Sequence, residues 1–233
     1  MLKYQRHLLQ IINDILDLSK IEANKLEIEE IEFSPFELLA DVQAIVKPLA
    51  NAKGLTFKTQ FEFPIPKTIV SDYLRIKQII INLVSNAIKF TETGHVIIVM
   101  KFENNKRNII FQVIDSGIGM TESQLASIFE AFTQADSSTT RKYGGTGLGL
   151  SLSKELAFQM GGDISAKSLI NTGSQFEFTV SAGVNADVDT VRDVSEIPIV
   201  KRSDEVEVFT EKYQGSVLLA EDNADNQRKI VTG

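Results

Sequence analysis

The sequence predicts an α/β (α+β) sandwich, a mixed sheet with helices on one face, preceded by a helix of a helical bundle. Three observations lead there. Segments with helical and with two-residue periodicity alternate along the chain, yet without a strict βαβ rhythm. Several strand segments come as hairpin-like pairs. Residues 2–26 carry an apolar stripe too wide for a single neighbour.

In that first segment Leu2, Leu9, Leu16 and Ala23 recur every seven residues, and Leu8, Ile11, Ile15 and Leu18 widen the face. This breadth suits a four-helix bundle better than a two-stranded coil. An extended run, 25–33, follows. Ser34 as N-cap and Pro35 at the first helical position open a helix that stops near Lys53-Gly54. Residues 55–61 alternate as a strand, and Pro64 with Pro66 marks a loop. A helix is expected over 73–91, then strands 96–102 and 108–114 joined by a polar turn. Beyond a glycine-rich middle, a helix over 148–160 ends at Gly161-Gly162, and two further strands cover 163–169 and 174–181.

Of the net charge of −7, more than half lies in residues 183–213, which hold eight acids against four bases and show no periodicity. That stretch reads as an acidic linker. The rest of the chain has no basic excess, so duplex nucleic acid is set aside as a partner. No apolar run is long enough to cross a bilayer and no signal-peptide layout is visible, which predicts a cytoplasmic segment without direct membrane contact. Zero cysteines exclude disulfide scaffolds and thiol nucleophiles, and two histidines make a multi-histidine metal site improbable.

The chemistry concentrates in three places. On the helix 73–91, Asn82, Asn86 and Lys89 make one polar line among apolar neighbours. Asparagine is a poor interior helix residue, so the pair is read as oxygen ligands for a hard cation such as Mg²⁺, with Lys89 reaching a phosphate. Two amides bonding neighbouring loops is the alternative. Asp115 emerges at a strand end and can accept a hydrogen bond from an exocyclic amine, while Gly117 and Gly119 let a ring approach the backbone. Residues 144–150, GGTGLGL, lead into a helix and leave backbone N–H groups free to form an anion nest. The run lacks the ending of a Walker loop and the spacing of a dinucleotide fold.

Taken together, NLVSNAIKF, DSGIGM and GGTGLGL resemble the N box and two glycine boxes of the Bergerat-fold (GHKL) ATPases, and IFEAFTQADSSTTRKYGG resembles the F box and ATP lid of the histidine-kinase branch. An asparagine at 82, where the hydrolysing relatives carry glutamate, points to the same branch. The chain thus resembles the hybrid sensor histidine kinases, and the resemblance implies ATP and Mg²⁺ as ligands. Asn86 would hold Mg²⁺ with Asn82 assisting. Lys89 and Arg141 would face the triphosphate, and Phe90 would line the pocket. Asp115 would read the adenine amine, with Gly117 and Gly119 making room for the base. Gly145, Thr146, Gly147, Leu148 and Gly149 would close on the phosphates, and Ser174 would place a hydroxyl near adenine.

HLLQIINDILDLSKIEANKLEIE looks like the second helix of a dimerisation and histidine-phosphotransfer hairpin, and VLLAEDNADNQ like the start of a receiver domain. The expected organisation is therefore residues 1–27 as that partial hairpin, 28–182 as the ATP-binding catalytic domain, 183–213 as linker and 214–233 as an interrupted receiver. The family's phosphoacceptor is a histidine followed by an acid. His7 precedes Leu8 and His95 opens a strand, so neither fits. The chain reads as a piece of a longer homodimeric protein, whose parent could be membrane-anchored, and whose acceptor hairpin would come from the same or a partner subunit. Two other readings stand beside it, an ATP-hydrolysing relative and a nucleotide-sensing or dimerising module without transfer.

Overall fold

Strands with one apolar face must cover it, and here the cover is helical. The structure is a computed structural model, and it describes residues 12–13, 15–21, 23, 25–131, 147–184 and 188–197. Five strands form the sheet, in the order β2 (Thr56–Glu62), β5 (His95–Glu103), β6 (Asn108–Asp115), β8 (Gly173–Ser181), β7 (Asp163–Leu169). The pairing of β2 with β5 is parallel and the other three are antiparallel. The mixed sheet expected from the sequence is therefore present. Its inner face is apolar, with Ile98 and Met100 of β5, Ile109, Phe111 and Val113 of β6 and Phe178 and Val180 of β8 all fully buried. The Phe111 and Phe178 rings stack with centroids 5.9 Å apart. The other face is mixed: Val99 and Ile110 are buried there, while Gln112 donates to Glu177 at 2.7 Å and Lys101 lies 3.8 Å from the same carboxylate.

Helix α2 (Pro35–Ala52) and helix α3 (Tyr73–Phe90) pack on the inner face with α5 (Gly149–Gln159). The sequence signals for α2 hold: Ser34 caps it, accepting from the N–H of Glu37, and Pro35 sits in the first turn. Asp72 caps α3 through Arg75 N at 2.9 Å and also accepts from Glu29 N at 3.1 Å. Buried Ile76, Ile79, Ile80, Leu83, Val84, Ala87 and Ile88 hold α3 to the sheet, leaving the line of Asn82, Asn86 and Lys89 half-buried at the edge of the core. Residues 12–13 and 15–21 are helical (α1). Arg75 grips the Asp17 carboxylate of α1 with both terminal nitrogens, at 2.7 and 3.1 Å.

Six short elements escape the sequence reading. Strand β1 (Ile31–Phe33) pairs with β4 (Ile69–Ser71), both inside segments read as extended or loop. Helix α4 (Glu122–Ser127) is closed by a capping box between Thr121 and Gln124. The segment read as linker from 183 differs from that reading over 188–197. There β9 (Thr190–Val191) pairs antiparallel with β3 (Ile65–Pro66), Val191 is fully buried, and a turn of 3₁₀ helix follows at Val194–Glu196. Lys67 fastens this strap, donating its backbone N–H to Asp189 O at 2.9 Å and its ammonium to the Asp189 carboxylate at 2.6 Å. An average over an acidic stretch hides one apolar residue that docks, and two residues of β-ladder leave no periodicity to read. Residues 198–233, with the receiver-like run, lie outside the described residues.

Candidate functional site

The C-terminal end of α3 is the hub. A helix ends with four unpaired carbonyls, and here each has a donor. Ala87 O accepts from the backbone and hydroxyl of Thr91, at 3.1 and 2.7 Å. The ammonium of Lys53 bonds Ile88 O and Lys89 O at 2.7 and 2.8 Å. The N–H of Ile118, in the first glycine run, reaches Phe90 O at 3.2 Å. The helix end and the glycine run are thereby one unit. A Cβ on Gly117 would stand 2.5 Å from Phe90 O and 2.8 Å from Asp115 Oδ1, so only glycine fits the seam.

Asp115, the last residue of the central strand β6, is buried. Its Oδ1 accepts from Gly117 N at 2.8 Å and Ser174 N at 3.3 Å, while no hydrogen bond reaches Oδ2 among the described residues. Burial pushes this carboxyl above the usual carboxylate range, against the two backbone N–H bonds that pull it down. A carboxylate with one oxygen fixed and the other open is a directed acceptor for an N–H donor. Gly119 has φ +65°, and a Cβ there would collide with Leu169 O. Ser174 pairs in register with Asp115 across the ladder, so its N–H is held to the carboxylate by the sheet itself. Its hydroxyl shares a 3.0 Å hydrogen bond with Ser168, whose oxygen also accepts from Met120 N at 2.9 Å. Ser168 escaped the sequence reading, having no motif of its own.

On α3 the amide of Asn82 donates to Ser153 Oγ at 2.9 Å and accepts from Asn86 Nδ2 at 3.4 Å. Both asparagines thus spend their N–H₂ groups on protein. The oxygen of Asn86 is left without a protein partner among the described residues, which suits an oxygen-seeking cation. No group of three or more His, Cys, Asp and Glu side chains suited to a metal occurs among the described residues. A cation here would be held by amide oxygen and substrate phosphate, the pattern Mg²⁺ favours. Burial pushes the Lys89 ammonium below its ordinary value, and its Nζ lies 4.7 Å from the centre of the Phe90 ring. A buried cation at that position favours an anion beside it.

Helix α5 begins at Gly149, and its N-cap, Leu148, makes no side-chain cap bond, so the first-turn N–H groups can meet an anion. Leu148 is 3% exposed. Gly147 takes φ +72°. Gly149 lies against the other half of the site: a Cβ there would be 2.7 Å from Asn82 Oδ1. Of the sequence candidates, Asn82, Asn86, Lys89, Phe90, Asp115, Gly117, Gly119, Gly147, Leu148, Gly149 and Ser174 are described, and the contacts above link them around α3. Arg141, Gly145 and Thr146 lie outside the described residues. Lys154 Nζ sits 4.7 Å from the centre of the Phe129 ring, so that aromatic acts as a packing anchor.

A family model described as "Histidine kinase-, DNA gyrase B-, and HSP90-like ATPase" matches residues 71–183. The signal transduction histidine-protein kinase BarA of Escherichia coli K12 is 43% identical over 185 residues, 78% of this chain and 20% of BarA. Hybrid signal transduction histidine kinase B of Dictyostelium discoideum is 45% identical over 181 residues, 76% of this chain and 9% of that one. Among solved structures, full-length ShkA in complex with AMPPNP superposes with a TM-score of 0.67 at 30% identity, over 80% of this chain and 37% of ShkA. The catalytic domain of histidine kinase ThkA gives 0.56 at 28%, over 66% of this chain and 96% of that domain. The chain spans about a fifth of the length of BarA.

Proposed function

This chain belongs, through residues 71–183, to the histidine kinase-, DNA gyrase B- and HSP90-like ATPase family of ATP-binding domains, and on that premise we propose that it presents Mg·ATP for phosphoryl transfer to a histidine of a hybrid sensor kinase. The observation that carries the proposal is the state of Asp115: Oδ1 is held by two backbone N–H groups and Oδ2 has no hydrogen-bond partner among the described residues. That oxygen would accept the adenine N6 amine, and Gly117 and Gly119 would admit the ring beside it. Ser174 and Ser168 would shape the same wall. Phe90 would line the pocket, and Lys89 would meet the phosphates together with Arg141.

The γ-phosphorus leaves the bridging oxygen of ADP and bonds to a histidine nitrogen, so the protein's part is positioning and charge neutralisation. Mg²⁺ would neutralise phosphate charge when bound, with Asn86 holding it and Asn82 assisting. Backbone N–H groups of Gly145, Thr146, Gly147, Leu148 and Gly149 would meet the phosphate oxygens. Neither asparagine can act as a base toward water, which favours transfer over hydrolysis. Neither His95 nor any other residue of the described site is a fitting acceptor, so the histidine would belong to a hairpin whose second helix lies within residues 1–27. The exposed Ile12, Ile15 and Leu16 on α1 support a bundle partner there. Residues 28–182 form the catalytic domain in this proposal, extended by the strap at 188–197, and 214–233 begin a receiver.

Incubation with γ-labelled ATP and a separately supplied histidine-bearing hairpin tests the assignment. Acid-labile, base-stable label on the hairpin is the expected result. ATP binding without transfer to several such hairpins would overturn it in favour of a nucleotide-sensing module, and steady phosphate release would favour the hydrolysing relative.

A further inference from the structure

Helix α5 touches the amide of Asn82 at two positions one turn apart. Gly149 lies against it closely enough that a Cβ would stand 2.7 Å from Oδ1 and 3.2 Å from Cγ and Nδ2. Ser153, four residues on and on the same helix face, accepts from Nδ2 at 2.9 Å. Ser153 is 3% exposed, one of the few buried polar side chains among the described residues. A serine inside a helix commonly turns its hydroxyl to its own backbone or to water. Here burial removes the water, and Asn82 supplies the partner.

We infer that Ser153 is a positioning residue for the divalent cation, acting through Asn82 and Asn86; this rests on the nucleotide reading above. Ser153 anchors the Asn82 amide through Nδ2, and in that arrangement Oδ1 of Asn82 meets Asn86. Asn86 then spends its own N–H₂ on that oxygen, at 3.4 Å, and its carbonyl oxygen is the group left to face a cation. With the Asn82 amide reversed, its N–H₂ would point at Asn86 and claim the oxygen that the cation needs. An N–H₂ turned outward repels a cation where a carbonyl attracts it. The glycine at 149 is part of the same device, since any side chain there would push the amide off its seat. The second glycine run would therefore serve the metal side of the site as well as the phosphate side, because its helix carries the residue that anchors the Asn82 amide.

The test uses this chain with Mn²⁺ as a spectroscopic probe. Free Mn²⁺ is followed by electron paramagnetic resonance in the presence of a non-hydrolysable ATP analogue, and metal-free nucleotide binding is measured separately in excess chelator. Ser153→Ala is expected to weaken ternary Mn²⁺ binding by about three- to tenfold, the worth of one hydrogen bond, and to leave chelator-condition affinity unchanged. Ser153→Thr, which keeps the hydroxyl, is expected to restore Mn²⁺ binding. Equal Mn²⁺ affinity in wild type and Ser153→Ala overturns the inference, as does an equal loss of both bindings, which marks a merely structural serine. Wild-type chain that binds the analogue with no metal dependence defeats the Mg²⁺ part of the nucleotide reading instead, and the inference with it.

Discussion

Replacing Asp115 separates recognition from folding, because its two oxygens have different employers. Oδ1 is bonded to Gly117 N at 2.8 Å and Ser174 N at 3.3 Å, and Oδ2 is open among the described residues. Asp115→Ala removes both acceptors and strands two backbone donors, at about 1–3 kcal/mol each, so a stability loss of about 2–6 kcal/mol is expected. Asp115→Asn keeps an amide oxygen for those two donors and turns an N–H₂ toward the ligand's own amine. A hydrogen bond to a charged acceptor is worth about 1.5–3 kcal/mol, so ATP affinity should fall roughly ten- to 150-fold with the fold intact. Burial raises the carboxyl's pKa, so in the free protein the charged form is penalised relative to the unfolded chain. Above the raised pKa the Asp115→Asn variant should therefore melt higher than wild type. That advantage shrinks as pH falls through the window down to the ordinary carboxylate value and is gone below it. ATP affinity of the wild type should drop through the same window while that of the variant stays flat. Titration calorimetry with ATP and GTP, paired with thermal melts across pH, reads both effects. Wild-type affinities for ATP and GTP that are equal, or an Asp115→Asn variant that binds ATP like wild type, would refute the reasoning.

Three other outcomes follow from the same geometry. Gly149→Ala gains helix propensity but places a methyl 2.7 Å from Asn82 Oδ1; overpacking of about 1–3 kcal/mol should win, and a melting temperature at or above wild type would contradict it. Lys53→Met strips two carbonyls of α3 of their donor and should cost about 1–2 kcal/mol, with amide exchange accelerated over residues 87–91; unchanged exchange there would remove Lys53 from the site's support. Lys89, whose pKa burial lowers, should take up a proton when triphosphate binds at alkaline pH; calorimetry in buffers of different ionisation enthalpy would show it, and buffer-independent heats would place the phosphates elsewhere.

The candidate site was legible because its residues break local rules. Two asparagines on an apolar helix, a carboxylate at a strand end and glycines packed before a helix each conflict with propensity, and a sequence shows such conflicts directly. Ser153, Ser168 and Lys53 break none. A serine in a helix, a serine in a strand and a lysine after a helix are ordinary, and only the approach of residues 71, 6 and 35 positions apart gives them a task. The long elements were legible for the opposite reason, since α2, α3 and β5–β8 obey their periods over many residues. Strands of two or three residues, β1, β3, β4 and β9, offer too few positions for a period, and each exists because tertiary pairing supplies the hydrogen bonds.

The strap at 188–197 changes the leash on whatever the chain carries next. Left as free chain, residues 183–197 would add roughly 50 Å of reach, at about 3.4 Å per extended residue. Docked through Val191 and clipped by Lys67 to Asp189, they move the anchorage from the end of β8 to a fixed spot beside β3. A shorter tether searches a smaller volume and raises the local concentration of its cargo steeply. Two paired residues and one ion pair thus set the point from which the chain after residue 197 departs, and loosening the clip would lengthen the leash without touching β8.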